Sequence, residues 1–271
     1  FPEGLSGADF AERITAQARR FGVEILQAQD VARVEVTDAY RIVHLRDGSL
    51  YCANAILVAT GADYRRLNAK GEDDFIGAGI HFCATCDGPF YKDAERIVVI
   101  GGGNSAVEEG LFLTKFAKRV TILVRGEKMT ASQFAQAKIF EMEQSIEVKL
   151  NTIVTEFRGK GKLQTVVTKN AKTSSIEELH SAAAFIFIGQ VPNSQLVKDV
   201  VACDPWGYIK TGHDFAHHDE HLDWMPAFME TNVRGIFAAG DVRAGSTKQV
   251  ASAVGEGASA AISIRAFLKG E

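Results

Sequence analysis

Ile97-Val98-Val99-Ile100-Gly101-Gly102-Gly103-Asn104-Ser105-Ala106 decides the fold. Four apolar, mostly β-branched residues run straight into three glycines. Beyond them Ala106, Val107, Gly110, Leu111 and Ala117 keep to one side of a helical run. The pattern is strand, tight turn and helix, with dinucleotide-binding spacing. Gly101 permits the turn, Gly103 lets backbone approach a pyrophosphate, and Ala106 takes the close-packing third place. Asn104 and Ser105 open the helix, whose N-terminus favours an anion. Arg96 to Val124 therefore reads as one βαβ unit in a parallel sheet.

Just upstream stands Cys83-Ala84-Thr85-Cys86-Asp87-Gly88. Two cysteines separated by two residues can close a small disulfide ring and depress one thiol pKa. The adjacent Asp87 supplies a carboxyl for the proton that thiol–disulfide exchange requires. The same spacing also suits half a zinc site, but zinc normally takes four ligands. Cys52 and Cys203 stand alone, and His81 is awkwardly close to serve as a third ligand. A redox pair set immediately before a dinucleotide turn points to electron transfer from a nicotinamide cofactor to a disulfide.

Composition is compatible with this chemistry. The 271 residues suffice for two cores, and 46% hydrophobic content is that of a globular chain. A net charge of −4 gives no reason to expect nucleic acid or an anionic membrane. No apolar run reaches the eighteen or so residues of a membrane span. Four cysteines do not make a disulfide scaffold, and no signal peptide is evident, so a cytoplasmic location is expected.

Outward from the centre, residues 6–21 read as a helix and 23–36 as strand and loop. Segments 40–45 and 49–52 flank the hairpin turn Arg46-Asp47-Gly48. Ala55 to Gly61 is a buried strand ending in Thr60-Gly61, and 62–80 a polar connection between domains. A helix over 132–143 and strands at 146–150, 152–157, 163–169 and 183–188 follow, with 170–182 a polar stretch. Gly189 to Asn193 is a second crossing. Gly235 to Asp241 repeats the short apolar strand ending in glycine, Gly240, and an acid. The last helix, 249–268, carries Val250, Ala253, Val254, Gly257, Ala258, Ala261 and Ile262 on one stripe, suited to a sheet or a planar ligand. His213, His217, His218 and His221, with Asp214, Asp219 and Glu220, read as a solvated insertion rather than a metal site, and no metal is expected.

At these residues the chain resembles low-molecular-weight thioredoxin reductase, within the pyridine nucleotide–disulfide oxidoreductases. The matching signatures are Ala59-Thr60-Gly61, Cys83 to Gly88, Gly101 to Glu109 and Gly235 to Asp241. The resemblance implies an α/β fold of two Rossmann-like, three-layer dinucleotide-binding domains, the second inserted in the first. Residues 1–63 and 191–271 would form the FAD-binding domain, and 64–190 the NAD(P)H-binding and redox-disulfide domain. It implies FAD, a nicotinamide cofactor, a homodimer, and thioredoxin or a thioredoxin-like protein as electron acceptor. Cys86 would be the sulfur nearest the flavin, Cys83 the one exchanging with the acceptor, and Asp87 the acid/base. Thr60, Gly61, Gly240 and Asp241 would meet FAD, Asp241 at its ribityl chain. Lys248, Gln249 and Val250 open the helix facing the flavin ring. Rotation of the inserted domain, hinged at 62–66 and 189–193, would bring the redox pair and the nicotinamide to the flavin in turn.

Two departures bear on this expectation. No glycine-rich βαβ unit precedes Ala59, where the family binds the FAD diphosphate, so the chain is read as lacking that N-terminal piece. Where the family has His-Arg-Arg, and another Arg three residues on, for an adenosine 2′-phosphate, this chain has Val124-Arg125-Gly126-Glu127-Lys128-Met129-Thr130. Only Arg125 matches, with Lys128 a point-charge substitute. NADPH use is expected to be retained but reduced, with NADH or a protein donor such as ferredoxin as alternatives. The reading that competes with an enzyme is a nucleotide-binding redox sensor or fragment.

Overall fold

The computed structural model describes residues 4–38, 40–215, 222 and 224–270. The chain divides into two compact units, Phe1–Gly61 with Pro192–Glu271, and Ala62–Val191. In chain order the first segment holds α1 (Gly7–Arg20), β1 (Val31–Val36), β2 (Arg41–Leu45), β3 (Leu50–Ala53) and β4 (Ile56–Val58). The inserted unit runs β5 (Ala62–Tyr64), α2 (Glu72–Phe75), β6 (Ile80–His81), α3 (Ala84–Asp87), β7 (Ala94–Ile100), α4 (Asn104–Leu113), β8 (Ala117–Leu123), α5 (Gln133–Phe140) and β9 (Ile146–Lys149). It continues with β10 (Thr152–Gly159), β11 (Leu163–Asn170), β12 (Ile176–His180), β13 (Ala183–Ile186) and β14 (Gln190–Pro192). The chain ends with β15 (Ile236–Ala238) and α6 (Val250–Lys269).

The inserted unit is built on a five-stranded parallel sheet in the order β6-β13-β7-β8-β9. Successive side chains of β7 point to opposite faces, which creates two cores. Ile97 and Val99 pack with Ala84, Ala106, Val107, Leu113, Ala135 and Ile139 of the helical layer. Val98 and Ile100 pack with Phe157, Val166 and Leu179. Those three belong to the antiparallel sheet β10-β11-β12, so one outer layer is sheet where a doubly wound domain carries helices. Each fully buried Val, Leu or Ile contributes roughly 1.5–3 kcal/mol by leaving water, and the two faces together hold this unit.

Segments expected to be featureless join this core. Residues 62–80 carry β5, α2 and β6, with Ile80 and Phe75 buried. Buried Glu72 is held there by Arg66 Nε at 3.0 Å and by the Leu67 N–H. The polar stretch 170–182 contains β12, an edge strand that buries Leu179 and pairs Glu178 with Arg158 at 2.6 Å.

In the other unit, Arg46-Asp47-Gly48 turns β2 into β3, with Gly48 at φ +91° and Asp47 accepting the Ser49 N–H at 2.8 Å. β4 and β15 pair in parallel, Ile56 opposite Ile236 and Val58 opposite Ala238. The two glycine-terminated strands therefore stand side by side. Their core is small: Val34, Val58, Val197, Val201, Ile209, Ile236, Ala238 and Val242. α1 is capped by Ser6, whose Oγ accepts the Asp9 N–H, and has no buried residue. α6 turns the expected apolar stripe outward. Val250 and Ile262 are 65% and 71% exposed, while Glu256 and Ala260 face in. Glu256 faces in because its carboxylate accepts the Gly240 N–H at 2.7 Å and pairs with Arg243 at 2.9 Å.

Candidate active site

The redox turn is fixed by short local bonds. β6 ends at His81, and Cys83 is the N-cap of α3, its Sγ accepting the Cys86 N–H at 3.2 Å. Cys83 and Cys86 form a disulfide with Cα atoms 5.3 Å apart. Ala84 beneath them is fully buried in the helical layer. A Cβ on Gly88 would stand 3.0 Å from Leu113 and 3.1 Å from Phe116, so the Asp-Gly step lets the turn lie against the end of α4. Cys52 and Cys203 are free, and burial, with Asp204 adding to it, pushes the Cys203 thiol up. Asp87 is half-buried, and His81 Nδ1 stands 3.3 Å from its Oδ1. Neither His81 nor Tyr91, whose hydroxyl lies 2.6 Å from His81 Nε2, was singled out from sequence for this role.

The glycine turn follows on the same unit. Gly101 holds φ +147°, and a Cβ there would stand 2.3 Å from the Phe187 carbonyl oxygen and 2.9 Å from Ala106 Cβ. Gly103 is the N-cap of α4 and brings no capping side chain, so the first amides of the helix face the turn. Ser105 is exposed. Asn104 has a structural duty, its Oδ1 accepting the Ser132 N–H at 2.7 Å. The Thr130 and Ala131 N–H groups donate to the Gly102 carbonyl at 2.7 and 3.0 Å and draw the 130–132 loop over the turn. Arg125 and Lys128 are exposed beside it. Glu127 pairs with Lys172 at 2.7 Å, a cation from the β11–β12 turn that sequence spacing did not reveal.

Residues 3–257 match the family described as pyridine nucleotide-disulphide oxidoreductase. The chain belongs to this family. A thioredoxin reductase of Treponema pallidum is 37% identical over 265 residues, covering 97% of this chain and 80% of that protein. The crystal structure of thioredoxin reductase from Streptococcus pyogenes MGAS5005 superposes with a TM-score of 0.86 at 33% identity, covering 98% of this chain and 82% of that one. Thioredoxin reductase from Giardia duodenalis gives 0.86 at 31% identity, covering 99% and 84%. These likenesses place the chain with the thioredoxin reductases, α/β flavoproteins that use a pyridine nucleotide to reduce a disulfide.

The family's flavin has a matching donor set in the unit that holds β4 and β15. Gly240 and Asp241 follow β15, and Asp241 Oδ1 is buried with no hydrogen-bond partner among the described residues. A buried carboxylate oxygen left unpaired is costly, and a hydroxyl donor of a polyol chain satisfies it. Lys248 sits at φ +58° with its ammonium 4.1 Å from the Tyr208 ring centroid. Burial pushes its pKa down, against the pull of Asp241 and Glu256. Gln249, the N-cap of α6, makes no side-chain cap, so the first amides of that helix stand at exposed Val250. Thr60 turns its hydroxyl to the Asn193 carbonyl at 2.5 Å, and the Asn193 N–H donates to the Gly61 carbonyl at 3.0 Å. Thr60 thus fastens the chain at its crossing. Asp214 accepts the Thr211 N–H at 2.8 Å. His217, His218, His221, Asp219 and Glu220 lie outside the described residues. No group of three metal-binding side chains occurs among the described ones, and no described helix is long and apolar enough to cross a membrane.

Proposed function

We propose that the chain carries electrons from NADPH through FAD to the Cys83–Cys86 disulfide and on to thioredoxin or a thioredoxin-like protein. The observation behind this reading is the closed Cys83–Cys86 disulfide, flanked by Asp87, on the same compact unit as the uncapped glycine turn. FAD, when bound, supplies two-electron chemistry between nicotinamide and disulfide. Asp241 would hold its ribityl hydroxyls, and the α6 N-terminus with Lys248 would favour negative charge on its ring. The first amides of α4 would take the nucleotide pyrophosphate.

Once the pair is reduced, the Cys86 N–H directed at Cys83 Sγ favours a thiolate there, which suits Cys83 to attack the acceptor disulfide. Cys86 then resolves the mixed disulfide, and Asp87 carries the proton. NADPH is favoured over NADH by the cations Arg125, Lys128 and Lys172 around one turn. Their grip is weaker than that of the paired arginines whose places Gly126 and Thr130 take.

The test is stopped-flow reduction of the flavin-loaded full-length protein by NADPH, NADH and reduced ferredoxin, followed by turnover with oxidised thioredoxin. NADPH is expected to bleach the flavin faster than NADH does. Cys83→Ser and Cys86→Ser are expected to lose thioredoxin reduction by at least a thousandfold, while Cys52→Ser and Cys203→Ser keep it. Bleaching by ferredoxin alone would overturn the donor, and a protein that never binds flavin would overturn the enzyme reading.

A further inference from the structure

His81 lies directly behind the redox turn. It closes β6 opposite Phe185 of β13 in parallel register, and its side chain is 9% exposed. The ring packs on Phe185 at 5.3 Å and edge-on to Tyr91 at 5.4 Å. Both nitrogens are engaged: Nε2 lies 2.6 Å from the Tyr91 hydroxyl and Nδ1 3.3 Å from Asp87 Oδ1. A neutral ring with its proton on Nδ1 satisfies both neighbours, since Tyr91 then donates to Nε2 and the N–H faces the carboxylate. Asp87 from α3 and Tyr91 from the 88–91 turn are the titratable groups against this ring, and β13 presents only Phe185.

We propose that His81 is a positioning residue of the disulfide exchange, orienting the Asp87 carboxyl through its Nδ1 edge while Tyr91 fixes the ring from behind. The proposal rests on the reading of Asp87 as the proton carrier. Burial pushes the His81 pKa down despite the pull of Asp87, which keeps the ring neutral near neutral pH. Burial, with Asp87 adding to it, pushes Tyr91 up, so its hydroxyl stays a donor.

In the exchange step the Cys83 thiolate attacks one acceptor sulfur, the acceptor S–S bond breaks, and a mixed disulfide forms. Cys86 loses its proton to Asp87 and attacks the Cys83 sulfur, breaking the mixed disulfide and expelling the acceptor sulfur that Cys83 had attacked. Two electrons pass from the cysteine pair to the acceptor. The proton Cys83 lost on ionising and the one taken from Cys86 both end on acceptor sulfurs, the latter through Asp87. His81 fixes the orientation of that carboxyl, so removing its N–H lets Asp87 turn away from the exchange and slows the step.

The experiment reduces the full-length holoprotein with dithiothreitol, removes the reductant and mixes it with oxidised thioredoxin from pH 5.5 to 9. Alkylation at set times and mass spectrometry then count re-formed Cys83–Cys86, a readout independent of flavin turnover. His81→Phe is expected to slow exchange about tenfold across this range. His81→Gln keeps an N–H donor and is expected to stay within about threefold throughout. Equal rates for His81→Phe and the parent, or equal losses in the Phe and Gln variants, would overturn the proposal. Should His81→Phe not fold, Tyr91→Phe carries the test, with a loss of about threefold expected and no loss overturning it. Asp87→Asn is expected to slow exchange at least about tenfold. An unslowed Asp87→Asn variant defeats the reading of Asp87, whereas a slowed one with no His81 effect defeats the His81 proposal alone.

Discussion

Glycine does different work at the nucleotide turn of the inserted unit and at Gly61 and Gly240 of the other. In the inserted unit the chain itself demands it: a Cβ at Gly101 would collide with the Phe187 carbonyl, and one at Gly102 would stand 2.8 Å from a Val124 methyl. In the other unit Gly61 and Gly245 hold φ of +71° and +70°, yet no described atom lies within 4 Å of an added Cβ, and Gly240 meets only Ala253 at 3.6 Å. Gly101 and Gly102 are fixed by packing, and Gly61 and Gly240 by backbone conformation at residues matched to the flavin. Gly235 before β15 is packed as tightly, an added Cβ standing 2.9 Å from Arg41 Nε and 3.0 Å from the Asn54 carbonyl oxygen. The same contrast runs through the cores. Parallel strands β7 and β8 are covered on both faces, whereas the unit of β4 and β15 has a small core, an outward α6 stripe and a buried Asp241 oxygen with no partner among the described residues. The inserted unit is specified by its own side chains, and the other is shaped to gain from a bound group.

The strongest attack on this comparison is at Gly101. Gly101→Ala adds a forced φ to a backbone clash and is expected to cost about 3–5 kcal/mol of the inserted unit's stability, read by urea unfolding. Gly61→Ala meets no neighbour and is expected to cost only about 1–2 kcal/mol. In the flavin-loaded protein, however, Gly61→Ala is expected to weaken FAD binding, measured by fluorescence titration. Equal stability losses at the two positions would erase the distinction.

A second test compares the units directly. By hydrogen exchange without added FAD, amides of β7 and β8 are expected to exchange at least about a hundredfold more slowly than those of β4 and β15, a gap of about 2.7 kcal/mol in opening free energy. Saturating FAD is expected to close most of that gap, since a ligand at a hundred times its Kd adds about 2.7 kcal/mol to the state that binds it. Uniform protection in the absence of flavin would show that both units are self-sufficient.

The same contrast explains what could be read in advance. Ile97 to Ala106 announced β7, the turn and α4 because a strand buried on both faces is a continuous apolar run, and crowding leaves glycine no substitute. The paired Ile56–Val58 and Ile236–Ala238 strands were equally visible, each ending in glycine. β12 was not, because Ile176-Glu177-Glu178 is an edge whose strand character comes from pairing with β11. The α6 stripe, suited by its small residues to a sheet or a planar ligand, faces outward at Val250 and Ile262, while the residue that turns inward is Glu256, held by Gly240 and Arg243. At the redox turn the cysteines and Asp87 were legible from spacing. His81 and Tyr91 were not, since their meeting depends on β6 joining the sheet beside β13. Lys172 reaches Glu127 across 45 positions of sequence, beyond any local pattern.

That distant lysine supplies the smallest and most specific test, since it asks whether the inserted unit's self-sufficiency extends to its choice of cofactor. Lys172 and Glu127 are 56% and 73% exposed, so their pairing is weak and Lys172 can be shared with a phosphate. Around Arg125 and Lys128 a third cation on an exposed site is worth about 0.6–1 kcal/mol to a 2′-phosphate, or about three- to fivefold in kcat/KM. Lys172→Ala is expected to lower the NADPH-to-NADH ratio of kcat/KM by that factor, with the loss falling on NADPH. Glu127→Gln releases Lys172 from its partner and is expected to raise the ratio by a similar factor. Both effects should shrink as salt rises from 0.05 to 0.5 M, because exposed charges are screened over about a Debye length. Opposite signs in the two variants place Lys172 at the phosphate. Equal signs, or no change in either, would mean that Arg125 and Lys128 act without it and that the Glu127 pair serves only to tie the β11–β12 turn to the loop after β8.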